Sequence, residues 1–269
     1  MVVGQLDKSV GMIIQARVSS SRLPGKVLMP FPFSSDKTIL GSIIDDLTST
    51  GASVVVATSL NRENDPIVNL CENNSIKCFR GSEDDVFSRF IAIQKTESFS
   101  TVFRFTADNP FIDLDKLNEF YKSFLEANVD YACSIGMPLG MNFELMKGSV
   151  LLELNDFELS QEEREHVTLI INRLDMFNKK IINLGNNAEL RMTVDTHIDY
   201  AQASLLKSKL GKNCSLQRIL DLKQKTPWIF ELNQGVLQKN TSENFDVQIA
   251  AIKKICSENG YNKVLELLS

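Results

Sequence analysis

Histidine is almost missing from this chain. His166 and His197 are the only two in 269 residues, which argues against a zinc or other histidine-rich metal site. The five cysteines, Cys71, Cys78, Cys133, Cys214 and Cys256, are scattered and show no Cys-x-x-Cys spacing, so they read as reduced structural thiols. No apolar run approaches the ~18 residues of a membrane-spanning helix. Met1 to Val10 also lacks the charged-then-apolar pattern of a secretory leader, so a cytoplasmic protein that meets no membrane is expected. The two familiar glycine-rich phosphate motifs are absent as well. A P-loop would need glycine at Ser20 and Ser or Thr at Val27, and no G-x-G-x-x-G follows a strand. A net charge of −5 excludes a nucleic-acid coat, and any phosphate site must be basic locally.

Such a local basic site is present. Val10 to Lys26 reads V-G-M-I-I-Q-A-R-V-S-S-S-R-L-P-G-K. The apolar, β-branched start fits a strand buried on both faces of a parallel sheet. The loop that follows carries Arg17, Arg22 and Lys26 among hydroxyls and a Pro-Gly turn. Arginine forks onto two phosphate oxygens and lysine acts as a movable point charge. At the carboxyl end of a strand, where open α/β sheets bind ligands, this reads as a phosphate-binding loop. The alternative is a solvated basic loop.

Apolar periodicity predicts helices over 38–50, 65–74, 83–96 and 113–128, alternating with strands over 53–59, 77–80 and 101–105. Strands alternating with helices imply a parallel α/β sheet covered on both faces. Phe111, Phe120 and Phe124 are assigned to its core. Beyond Tyr131 the character becomes α+β, with strands expected over 141–147, 180–184 and 190–194. Helices are expected there over 162–173, 198–210, 216–223, 246–257 and 261–268. Pro227-Trp228 marks the one suggested boundary, giving a main domain of 1–225 and a helical extension of 226–269.

Several later clusters fall where strands should end. Ala57 and Thr58 could read a base edge, or simply form a turn. In R-G-S-E-D-D-V, Arg80 to Val86, Ser82 could cap a helix with acidic residues in its first turn. Asp108, after the strand of V-F-R-F-T-A-D-N-P, sits where a metal-binding carboxylate is common; Mg²⁺ takes one or two carboxylates plus substrate phosphates. Capping of the turn is the plainer reading. Asp195 ends a β-branched strand in R-M-T-V-D-T, and Thr196 can cap the next helix. Arg164 and His166 in one helical turn could hold a carboxylate or sugar hydroxyls, or belong to a charge-laced helix face with Glu162.

These motifs together resemble the cytidylyltransferase family named for spore-coat polysaccharide biosynthesis, relatives of the acylneuraminate and 3-deoxy-manno-octulosonate cytidylyltransferases. The likeness runs through I-I-Q-A-R-V-S-S-S-R-L-P-G-K-V-L, R-G-S-E-D-D-V, R-F-T-A-D-N-P, R-E-H-V-T and R-M-T-V-D-T-H-I-D. It implies a Rossmann-like, mostly parallel sheet of the nucleotide-diphospho-sugar transferase type, with 1–225 as the nucleotidyltransferase domain. It implies transfer of CMP from CTP to a sugar, with a 2-keto sugar acid as the first candidate, and release of pyrophosphate, for surface polysaccharide or glycan synthesis. Arg17, Arg22 and Lys26 would hold the triphosphate, and Asp108 and Asp195 would hold Mg²⁺. Gln15, Ala16, Ser19, Ala57, Thr58, Gly81, Ser82, Glu83, Arg104 and Thr106 would contact the nucleotide, with Arg89 a further candidate. Gly140, Asn142, Glu144, Arg164, Glu165 and His166 would face the acceptor. A homodimer is expected on the same ground. The chain departs from the family at Asn109, usually Cys, and over 29–37, which leaves Lys37 without a carried-over role. The alternatives are a phosphorylated or phosphonate acceptor, or a nucleotide-binding subunit without catalysis.

Overall fold

The computed structural model describes residues 6–236 and Ser257. The chain runs β1 (Val10–Gln15), α1 (Ile39–Thr48), β2 (Ser53–Ser59), α2 (Asp65–Asn73), β3 (Lys77–Gly81), α3 (Val86–Glu97), β4 (Thr101–Thr106) and α4 (Leu114–Ala127). It continues through β5 (Tyr131–Ile135), β6 (Glu144–Lys147), α5 (Gly148–Glu153), α6 (Gln161–His166), α7 (Leu169–Arg173) and β7 (Lys179–Asn183). It then forms α8 (His197–Leu210), α9 (Leu216–Lys225) and α10 (Pro227–Glu231).

Seven strands make one sheet in the order β3-β2-β1-β4-β6-β5-β7. All neighbours are parallel except β6, which runs antiparallel to both β4 and β5. Successive residues of β1 point to opposite faces, as the pleat demands. Met12 and Ile14 join the apolar cluster under α1, α4 and α8, while Ile13 joins the one under α3, α5 and α7. Both faces are therefore covered, which is why β1 needs no polar residue before Gln15. Phe111, Phe120 and Phe124 are buried in the first cluster, as expected. From β1 the chain moves to β2 on one side and returns in β4 on the other. The carboxyl ends of these three strands thus frame a crevice at the point where strand order reverses.

Several elements differ from expectation. β5 has no counterpart among the expected strands. The expected strand over 141–147 begins only at Glu144, where its pairing with both neighbours starts, opposite Arg104 and Cys133. α3 starts at Val86, since the Asp85 carboxylate, not Ser82, accepts from the Ser88 N–H and caps it. The expected helix over 162–173 breaks into α6 and α7 at Val167, whose φ is 55°. Residues 190–194 form an extended segment with a single bridge, Leu139 to Arg191, rather than a strand. The expected helices over 246–257 and 261–268 lie outside the described residues apart from Ser257. Lys37 pairs with Asp45 of α1 and does not line the crevice described below. The four described cysteines are free thiols. Among the described residues no helix is long and apolar enough to cross a membrane.

One half-buried acid works against the fold. Asp46 of α1 has an oxygen without a hydrogen-bond partner, and Lys207 of α8 approaches only to 3.8 Å. Burial raises its carboxyl to about 6, against the opposing pull of Lys207. A raised native pKa favours folding at low pH, and that contribution is lost as pH rises through about 6. Asp46→Asn should therefore stabilise the protein by about 2 kcal/mol at pH 8 and by little at pH 4. Thermal melts at the two pH values would show it, and an equal shift at both would refute the assignment.

Candidate active site

The crevice holds a cleft of about 840 Å³, within the range typical of small-molecule sites. Its wall on one side is the loop after β1. The Ala16 N–H donates to the Ala57 carbonyl at 3.0 Å, and the Ala107 N–H donates to the Gln15 carbonyl at 3.0 Å. The first turn of the loop is thereby pinned to β2 and to the end of β4. Buried Leu23 and Val27 anchor its return, and Gly25, at φ 72°, lets it close on the Val18 carbonyl. The loop is also held by buried Asn64, which accepts from the Val18 N–H at 2.8 Å and donates to Ser59 Oγ at 2.7 Å.

Folding brings the three loop cations against acids from distant parts of the chain. The Lys26 ammonium lies 2.8 Å from Asp108 Oδ2 and 2.9 Å from Asp195 Oδ1. Arg22 reaches the same Asp195 oxygen at 3.0 Å. Arg17, half exposed, stands between Glu83 at 3.8 Å and Glu165 at 3.5 Å. Asp108 is steadied by the Thr106 hydroxyl at 2.7 Å, which in turn accepts from Asn109 Nδ2 at 2.8 Å. The Val194 N–H donates to the Asp108 carbonyl at 2.8 Å, tying the end of β4 to the segment that carries Asp195. Burial pushes Asp195 up, but Lys26, Arg22 and Arg191 outweigh it and hold the carboxyl below its ordinary value.

Two carboxylates from separate segments thus converge on one cationic centre, the Lys26 ammonium. A hard divalent cation that keeps waters and substrate phosphates as its other ligands needs one or two protein carboxylates in such an arrangement. The residues present fit that group. Among the described residues no set of three or more metal-ligating side chains gathers anywhere.

Of the residues singled out in the sequence, Gln15, Ala16, Arg17, Ser19, Arg22, Lys26, Arg89, Arg104, Thr106, Asp108, Gly140, Glu165, His166 and Asp195 line the cleft. Gly140 is constrained there, since a Cβ would lie 2.8 Å from the Thr193 nitrogen and 2.9 Å from Asn109 Oδ1. The others do not line the cleft. Ala57 and Thr58 are buried. Gly81 ends β3, and the Ser82 hydroxyl accepts from the Asp85 N–H. Glu83 accepts from Ser19 and Asn61. Asn142 accepts from Ser134 at 3.3 Å. Glu144 accepts from Arg104 at 2.6 Å, Thr168 at 2.9 Å and Tyr131 at 3.0 Å, so it braces Arg104 from β6. Arg164 donates to Asp85 at 2.6 Å, joining α6 to α3. Reading the sequence missed Asn64, Arg191 and Thr193. For Arg191 the signal was present, as the first residue of R-M-T-V-D.

Residues 12–240 match the cytidylyltransferase family. The chain belongs to that family. This cytidylyltransferase is 28% identical over 228 residues to the spore coat polysaccharide biosynthesis protein SpsF of Bacillus subtilis, covering 80% of this chain and 94% of that one. A solved cytidylyltransferase from Leptospira borgpetersenii superposes with a TM-score of 0.76 at 28% identity, covering 87% of this chain and 99% of that one. The fold also matches a CMP:2-keto-3-deoxy-manno-octonic acid synthetase solved with CTP. There the TM-score is 0.55 at 15% identity, with 74% of this cytidylyltransferase and 98% of that chain covered.

Proposed function

We propose that this cytidylyltransferase transfers CMP from CTP to a hydroxyl of a sugar, with a 2-keto sugar acid as the first candidate, and releases pyrophosphate. The observation that supports the reading most is the meeting of Asp108 and Asp195 with Lys26 and Arg22 inside one cleft. In this reaction the acceptor oxygen forms a bond to the α-phosphorus. The bond from that phosphorus to the α,β-bridging oxygen breaks, and its electron pair leaves on pyrophosphate. The acceptor proton passes to solvent.

Arg17, Arg22 and Lys26 would take the β- and γ-phosphates and stabilise the departing pyrophosphate. This work is positioning and charge stabilisation, and it requires no nucleophilic side chain. Asp108 and Asp195 would hold a divalent cation, Mg²⁺ in the first instance, whose chemistry is to neutralise the phosphate oxygens. Gln15, pinned beside Arg104 at 3.1 Å, sets the floor on which the nucleotide would rest. Glu165 and His166, on the last turn of α6, and Gly140 would face the acceptor.

The test is pyrophosphate release with Mg²⁺, each of the four nucleoside triphosphates, and a panel of sugar acids and sugar phosphates. Release with CTP and a sugar acid is the expected outcome. Release only with sugar phosphates would reassign the acceptor, and failure to bind CTP would overturn the proposal.

A further inference from the structure

Behind Asp195 lies a buried network that reaches past the suggested boundary at Pro227. We propose that Asn233 is a positioning residue which, through Asp199 and Arg191, fixes the Asp195 carboxylate for divalent-cation binding. The inference rests on the proposed function, in which Asp195 holds that cation. Asn233 follows α10 and is 4% exposed. Its amide donates to the Arg191 carbonyl at 3.2 Å and to Asp199 Oδ1 at 3.1 Å, so the NH₂ group has a partner for each of its hydrogens.

Asp199 is the hub. Its Oδ1 also accepts from Arg191 Nε at 2.8 Å, and its Oδ2 accepts from Arg191 Nη2 at 3.0 Å. The same Oδ2 accepts from the backbone N–H groups of Asp195 at 3.1 Å and Thr196 at 3.0 Å. Arg191 Nη2 then reaches Asp195 Oδ2 at 3.0 Å. Asp195 is therefore held at its backbone by Asp199 and at one carboxylate oxygen by Arg191. Only its Oδ1 is presented to Lys26 and Arg22 in the cleft. Nothing else among these contacts anchors the outer edge of the Asp199–Arg191 pair to the segment after α10. Arg191 and Asp199 stand one step behind the proposed metal ligand, where removing a partner typically changes metal affinity about 10–100-fold; Asn233 acts one step further out, on those two.

The experiment measures Mn²⁺ affinity by electron paramagnetic resonance in the presence of CTP, alongside metal-free CTP binding and thermal stability. Asn233→Leu keeps the forked shape at a larger volume and removes both donors; Asn233→Ala removes donors and bulk. Each should weaken Mn²⁺ binding about threefold to tenfold, at or below the low end of that range, while metal-free CTP binding stays unchanged. Ile219→Val, in the buried core of α9, is the control: it should lower stability and leave Mn²⁺ affinity at the wild-type value. Wild-type Mn²⁺ affinity in either folded Asn233 variant overturns the inference, as does an equal loss in the Ile219 control. A wild-type protein that binds CTP but no Mn²⁺ would instead remove the proposed metal role of Asp195, and this inference with it.

Discussion

Asp108→Ala should lower turnover by about a thousandfold or more while leaving the fold intact. Cation-assisted charge stabilisation in such reactions contributes several kcal/mol, and each ~1.4 kcal/mol is tenfold in rate. The fold should survive because no charge is stranded. Lys26 keeps Asp195 at 2.9 Å, and Asp195 keeps Arg22 and Arg191 at 3.0 Å. The measurement is steady-state pyrophosphate release beside a thermal melt. Near-wild-type turnover would remove Asp108 from the reaction. A collapse of the melt would mean that its role is structural.

The largest loss of stability is expected at Arg191. Its guanidinium is buried against Asp199 and Asp195 at 2.8–3.0 Å, and the Asp199 side chain has no exposure at all. Arg191→Met would leave the fully buried Asp199 without its cation, while Asp195 would keep Lys26 and Arg22. Breaking a buried pair in this way costs about 3–5 kcal/mol, which for a chain of this size lowers the melting temperature by roughly 10 °C. Arg191→Lys should recover little, since an ammonium cannot fork onto both carboxylates. A melting temperature within a degree or two of wild type for Arg191→Met would show that the network carries no such energy. Arg17 offers the contrast: half exposed and paired only at 3.5–3.8 Å, it should contribute little to stability.

The fold was legible where one physical signal dominated. β1, β2 and β4 are short apolar runs buried on both faces, and Asp113 caps α4 by accepting from the Lys116 N–H, so their positions could be read directly. β5, Y-A-C-S-I, escaped because it is short and its residues favour neither period clearly. The break between α6 and α7 escaped for a different reason. Val167 takes a left-handed φ that a β-branched residue normally avoids, and only tertiary packing imposes it. Within the site, the β1 loop and Asp108 showed themselves because strand ends are where chemistry collects in such sheets. That Asp108 and Asp195 meet required the fold. So did the place of Glu144, since nothing in E-L-M-K says that the strand slips antiparallel between β4 and β5 and aims its acid at Arg104. Competing caps explain the displaced start of α3: Ser82 and Asp85 both suit a helix start, and the hydrogen bond to Ser88 decides.

The Lys26 ammonium between Asp108 and Asp195 has a consequence for the charge balance of the cleft. Two acids facing each other repel. Here one cation of the chain's own clasps the β1 loop to the end of β4 and to the segment before α8, so the mutual repulsion of the two acids is answered from within the polypeptide.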